Sequence, residues 1–181
     1  MFAARKGIED YLRLGYVPAD KGVRESAART LEYAYDDWCV AVVAKALAFK
    51  AMLTAAQQQT LEQAYTPALA RRWSNLPCAG TCRNGIQFGS LTPEQLAAAV
   101  EVIRAAEGTA ANEGSAEFEQ IRLADTNLAN NGGNAGGPGG FSYGEGFYYL
   151  AFLNTPSVTG PWMLQFGGHH YGANIAYNQG R

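Results

Sequence analysis

Three acidic side chains, Glu32, Asp36 and Asp37, fall within six consecutive residues. At helical spacing Glu32 and Asp36 share a face, and Asp37 lies about 100° further round. Paired carboxylates do acid–base work on glycosidic bonds. Arg29, three residues before Glu32, supplies the opposite reading, a solvated ion-pair face of Arg29, Glu32 and Asp36. An inverting glycosidase holds its acid and base about 6.5–9.5 Å apart, on opposite sides of the scissile bond. Two side chains on one side of one helix cannot do that, so this cluster supplies at most half of a mechanism.

Both histidines stand together in the run Trp162-Met163-Leu164-Gln165-Phe166-Gly167-Gly168-His169-His170. Histidine pairs bind metal or move protons. On a strand, adjacent residues face opposite ways. His169 then shares a face with Tyr171, Ala173, Ile175 and Tyr177, and His170 with Gly172, Asn174, Ala176 and Asn178. Both reach one ion only if Gly167-Gly168 forms a bulge. His170, on the more polar face, is the better metal-ligand candidate and His169 the weaker one. Glu145, the only acid of the preceding glycine-rich region, is a candidate partner. The alternative is structural: His169 packs, and His170 hydrogen-bonds a strand neighbour.

Smaller signals follow the same logic. Cys78 and Cys82, with three residues between them, fall within the loose range for a zinc-ligand pair, but no second pair accompanies them. Cys39 makes the cysteine total odd, which excludes a full disulfide framework and leaves free or locally bridged thiols. The Gly132–Gly140 run follows no strand and ends in no lysine, so it is not a phosphate loop. Tyr143, Tyr148 and Tyr149 could stack on sugar rings or pack in a core.

The elements that must position these residues read as helices followed by strands. Gly7–Leu14 is a short helix stopped at Gly15. A long helix spans about Glu25 to Phe49, with Leu31, Tyr35, Trp38 and Val42 as its apolar stripe. Thr54 with Gln57, and Thr92-Pro93-Glu94-Gln95, are helix starts of capping-box type. The second of these helices ends at Gly108. Another follows Ser115, with Phe118, Ile121 and Leu128 on one side. Helices therefore occupy residues 50–129 after the long one. Residues 130–146 contain eight glycines and three asparagines in 17 positions, a loop with too little to bury to offset its ordering entropy. Strands occupy 147–178, as Phe147–Leu153, Pro161–Phe166 and His169–Asn178. The fold class is α+β: N-terminal helices, a Gly-rich loop and a small antiparallel sheet. A sheet of so few strands leaves edges uncovered, so the domain reads as incomplete.

Composition bounds the function. The chain has 181 residues, is 48% hydrophobic and carries a net charge of -2. It is long enough for a core and has no basic excess for nucleic acid or an anionic membrane surface. No apolar run approaches the roughly 18 residues of a membrane span, and the start, MFAARKG, lacks the apolar stretch of a signal peptide. Eight of the 14 basic and seven of the 16 acidic residues, including all four lysines, fall in the first 50 positions. This asymmetry places a junction near residue 48.

Two resemblances meet there. Gly15-Tyr16-Val17-Pro18-Ala19-Asp20-Lys21 and Thr30-Leu31-Glu32-Tyr33-Ala34-Tyr35-Asp36-Asp37-Trp38-Cys39 resemble a segment of glycoside hydrolase family 92, over about residues 7–47. That family comprises calcium-dependent, exo-acting, inverting α-mannosidases. The resemblance implies Glu32 as general acid, Asp36 or Asp37 as substrate-binding, carbohydrate as partner and calcium as cofactor. The family's catalytic base and its glutamate-glycine-asparagine calcium segment are not found after residue 47. Leu53–Tyr65, Arg72-Trp73-Ser74-Asn75-Leu76-Pro77, Gly85-Ile86-Gln87-Phe88-Gly89-Ser90-Leu91-Thr92-Pro93 and Pro161–His170 together resemble domain of unknown function 3500, over about residues 48–181. Members of that bacterial family are about twice this length, and the portion here resembles their N-terminal half. Both resemblances imply a periplasmic or secreted protein.

The expectation is therefore a two-piece chain, residues 1–47 as a mannosidase-like helical fragment and 48–181 as a partial domain, without a complete active site. Any activity would be that of a hydrolase. Two alternatives stand beside it: a metal-dependent enzyme using His169 and His170, and a noncatalytic ligand- or glycan-binding module whose aromatic sheet, with Tyr148 or Trp162, holds the ligand. A chance junction predicts few contacts between residues 1–47 and the sheet, and dense packing of Trp38 and Tyr35 there would contradict it.

Overall fold

The computed structural model describes residues 5–78, 82–133 and 143–178. The centre of the expected glycine-rich loop, residues 134–142, lies outside the described residues. Helix α1 (Ile8–Leu14) ends at Gly15, which adopts φ 78° and donates its N–H to the Tyr11 carbonyl. Helix α2 (Ser26–Ala51) follows, then α3 (Ala55–Leu61) and the short α4 (Pro67–Ala70). Helices α5 (Pro93–Glu107) and α6 (Ser115–Leu128) complete the helical part. The capping boxes at Thr54/Gln57 and Thr92/Gln95 are both formed, each satisfying two orphan N–H groups.

The sheet contains β1 (Glu62–Gln63), β2 (Ile86–Gln87), β3 (Tyr149–Leu153), β4 (Trp162–Gly168) and β5 (Tyr171–Tyr177). Its order is β1-β3-β4-β5, with β2 sharing the outer edge of β3. All pairs are antiparallel except β1 with β3, which is parallel. The sheet is thus mixed rather than wholly antiparallel. Two residues at the end of α3 are too few to show a strand period. They pair because Asn154, at φ 63°, turns the chain so that its N–H meets the Gln63 carbonyl at 2.7 Å and its Oδ1 accepts from the Tyr65 N–H.

One face of the sheet carries the core. Leu150, Phe152, Trp162, Leu164, Phe166 and Tyr177 project toward Phe49 of α2, Val102 and Ile103 of α5, and Phe118 of α6. Phe152 meets Phe49 edge-on at 6.5 Å, and Phe166 meets Phe118 at 5.7 Å. Full burial of each such side chain contributes about 1.5–3 kcal/mol. The opposite face is covered over β3 and β4 by residues 65–78 and 82–84, and is exposed along β5 at Gly172, Asn174 and Ala176. There Gln165 accepts from Asn84 Nδ2 at 2.6 Å and donates to Asn174 Oδ1 at 2.8 Å. Arg83, 8% exposed, donates to the carbonyls of Ser74, Leu76 and Cys78 and so fixes the shape of that segment. Cys78 and Cys82 form a disulfide, and Cys39 is a free, buried thiol.

The boundary drawn at residues 47–48 falls inside α2, which continues unbroken to Ala51. Cys39, Val42, Val43, Ala46 and Phe49 are all core residues. Trp38 donates its indole N–H to the Ala105 carbonyl at 2.8 Å, and its ring lies 5.6 Å from Tyr177 of β5. Residues on both sides of the expected junction therefore share one core. The charge change reports the surface, whereas the helical period of the buried face runs through it. The stripe itself differs from expectation. Leu31 and Tyr35 are exposed, because the first half of α2 extends beyond the sheet. Residues 5–25 pack on that overhang instead: Tyr33 is buried, donates its hydroxyl to the Lys6 carbonyl and meets Tyr11 at 5.4 Å.

Candidate functional site

The histidines do not lie on the strand. Gly168 pairs with Tyr171, so His169 and His170 are the two residues of the β4–β5 turn. His170 adopts φ 61°, a left-handed conformation in which histidine is enriched among non-glycine residues, though still uncommon. The opposite-face expectation therefore fails for this pair: the strand's alternation stops at the turn, and the two imidazole centroids stand 3.8 Å apart. No bulge is needed either. Gly167 and Gly168 stay in the ladder. Glycine is required at 168 because a Cβ there would lie 2.7 Å from the Tyr148 ring. That ring passes under the hairpin, and its hydroxyl donates to the His169 carbonyl at 2.9 Å.

His169 makes a short polar contact with a buried acid. Its Nδ1 lies 2.6 Å from Asp125 Oδ1. The Asp125 side chain is 3% exposed and His169 12%. The second carboxylate oxygen of Asp125 accepts the Gly144 N–H at 2.9 Å. Both oxygens of this buried acid are thus engaged, as burial of a charge demands. His170 has its own partner, with Nδ1 3.3 Å from Asn75 Oδ1. Tyr143 meets the His169 ring edge-on at 5.0 Å. Ile121, Ala124, Asp125, Leu128, His169 and His170 line a cavity of about 310 Å³.

Asp125 was missed in the sequence. It sits 44 residues before His169, beyond any local spacing. Its signal was a carboxylate at the centre of the α6 stripe of Phe118, Ile121 and Leu128, an expensive place for an acid unless it has a partner.

The other expected residues lie elsewhere. Glu145 does not approach the histidines; its carboxylate lies 3.8 Å from Arg122 Nη1, and its N–H donates to Thr126 Oγ1. Glu32 is exposed on α2. Asp36 pairs with Arg5 at 2.8 Å, and Asp37 accepts the Tyr11 hydroxyl at 2.9 Å. The first half of α2 points these acids at solvent and at residues 5–11. Arg29 binds the Arg24 carbonyl through its Nε. Tyr148 and Trp162 are both 0% exposed, so neither can offer a ring to a glycan. Among the described residues no three His, Cys, Asp or Glu side chains group as a metal would require. No helix among them is long and apolar enough to cross a membrane.

No curated protein and no solved structure matches the chain, and no comparison gives evidence for glycoside hydrolase family 92. The family model described as "Protein of unknown function (DUF3500)" matches residues 37–181, starting inside α2 and upstream of the expected junction, and the chain belongs to that family.

Proposed function

We propose that Asp125 and His169 form the proton-handling dyad of a hydrolase-type active site. The observation that carries this reading is the 2.6 Å contact of Asp125 Oδ1 with His169 Nδ1, made by a carboxylate whose other oxygen is already held. An ionised carboxylate only accepts hydrogen bonds. In the neutral imidazole this contact places the one ring proton on Nδ1, and Nε2 keeps its lone pair. Such a nitrogen takes a proton from water or a substrate hydroxyl as bond formation begins, and returns it to the leaving group. Asp125 fixes the tautomer and stabilises the imidazolium that forms. The continuity of α2 through residues 47–48 supports one folding unit around this site rather than two joined fragments. The Cys78–Cys82 disulfide supports export to an oxidising compartment.

One observation favours a second reading, a divalent metal held by the Nε2 atoms of His169 and His170. Each imidazole has an oxygen at Nδ1, from Asp125 or Asn75, which is how metal-ligating histidines are oriented. Two nitrogens leave the remaining positions to water or substrate. Calcium, which prefers oxygen ligands, does not suit this donor set.

A panel of p-nitrophenyl esters, phosphates and α-mannosides tests the dyad. Turnover of one class should fall by about 10²–10⁴ in His169→Gln, with the folded far-ultraviolet dichroism retained. Turnover unaffected by His169→Gln removes the dyad reading. Metal analysis separates the second: a stoichiometric ion lost in both His169→Ala and His170→Ala supports it, and an ion-free active protein rejects it.

A further inference from the structure

We infer that the ligand of the histidine site presents an aliphatic group, seated on the α6 face formed by Ile121, Ala124 and Leu128; this rests on the reading of His169 as the reacting side chain. The cavity of about 310 Å³ falls at the small end of the range for small-molecule sites. Its wall on α6 is aliphatic, formed by Ile121, Ala124 and Leu128, and Leu128 is 41% exposed. The one ionic lining group, Asp125, is 3% exposed and has both oxygens engaged, so it offers no bond to a ligand. Among the described lining residues, the polar atoms left to a ligand are those of the two imidazoles. A ligand that matches this wall has one acceptor or hydroxyl for the histidines and an alkyl or acyl chain beside it. A hexose does not match it. Its hydroxyls would face methyl groups with no partner, a loss of about 1–3 kcal/mol for each one buried. Of the rings considered for stacking on a sugar, Tyr148 and Trp162 are inside the core, and Tyr143 is set edge-on against His169.

Methyl-resolved NMR of the full chain tests this, with primary alcohols from ethanol to 1-pentanol as probes and methyl α-mannoside in parallel. The alcohols should shift the Ile121 and Leu128 methyl resonances saturably, with affinity rising about fourfold per methylene as apolar area is buried. Leu128→Asp, a change at a partly exposed position, should weaken 1-pentanol by tenfold or more. His169→Gln removes a polar partner of the hydroxyl, so it should weaken every alcohol alike, keep the gain per methylene and abolish hydrolysis, and the two readings fail separately. No shift with pentanol, an affinity flat along the series, or saturable mannoside binding at these methyls would each overturn the aliphatic assignment. Pentanol binding without any His169-dependent turnover would keep the alkyl site and remove the dyad.

Discussion

Replacing Asp125 by asparagine keeps the side-chain shape and removes half of what it does. The carboxylate accepts from two donors, His169 Nδ1 at 2.6 Å and the Gly144 N–H at 2.9 Å. An amide has one oxygen. If that oxygen stays on Gly144, the NH₂ faces Nδ1 and forces the imidazole into the opposite tautomer. If it turns to His169, two N–H groups confront each other at buried Gly144. Hydrogen bonds to a charged group contribute about 1.5–3 kcal/mol each. Losing one of the two gives about 2 kcal/mol for Asp125→Asn. Asp125→Ala loses both and leaves a buried N–H unpaired, which gives about 3–5 kcal/mol. At roughly 2–4 °C per kcal/mol for a chain of this size, Asp125→Asn should melt about 4–8 °C below wild type. Urea unfolding of wild type, Asp125→Asn and Asp125→Ala supplies the free energies. The expected order of stability is wild type, then Asn, then Ala. Asp125→Asn within about 0.5 kcal/mol of wild type would refute the claim that this acid is a structurally committed, doubly bonded partner of His169.

Arg83→Leu should cost about 3 kcal/mol in the same urea assay, one for each carbonyl of Ser74, Leu76 and Cys78 left without its donor, and it should move the His170 resonances because Asn75 rides on that segment. Burial holds the Glu107 carboxyl above its ordinary value; the Tyr171 hydroxyl opposes this and the Glu117 charge adds to it. A carboxyl raised in the folded state binds more protons than in the unfolded chain, so its contribution to stability falls as pH rises through that interval. Glu107→Gln should therefore remove a downward slope, gaining on wild type as pH rises above the ordinary carboxylate range in pH-dependent melting; parallel curves would contradict it. Glu32→Gln, at an exposed position, should change stability by less than about 0.5 kcal/mol and leave any turnover intact. A turnover lost in Glu32→Gln would restore the mannosidase assignment.

What the residues revealed in advance was local. Gly15, Thr54 with Gln57, and Thr92 with Gln95 carry their capping chemistry within four residues, and each helix end stands where that chemistry puts it. The alternation of β5 was visible because one face is solvated, with Gly172, Asn174 and Ala176 exposed. The turn was not, because His169-His170 lacks the Asn-Gly or Asp-Gly signal and the alternating pattern reads straight through it. The parallel β1 was hidden by its length of two residues. Leu31 and Tyr35 followed the period of a buried stripe, but a period does not say where the sheet ends. At the site, both histidines were named and their partners were not. Gly144, Asn75 and Asp125 come from three separate segments, and only tertiary packing brings them to one turn. The chain's lopsided charge suggested two pieces, yet surface charge does not reveal which side chains share a core.

The central claim is that Asp125 holds the proton on His169 Nδ1 and leaves Nε2 free. The chain has only two histidines, so selective imidazole ¹⁵N labelling yields two spin systems, and His169→Gln assigns them. At a pH where the ring is neutral, a long-range ¹H–¹⁵N spectrum should show His169 with a protonated Nδ1 and a bare Nε2, and Asp125→Asn should disturb that state. A wild-type His169 protonated at Nε2, or one averaging freely between tautomers, would contradict the account.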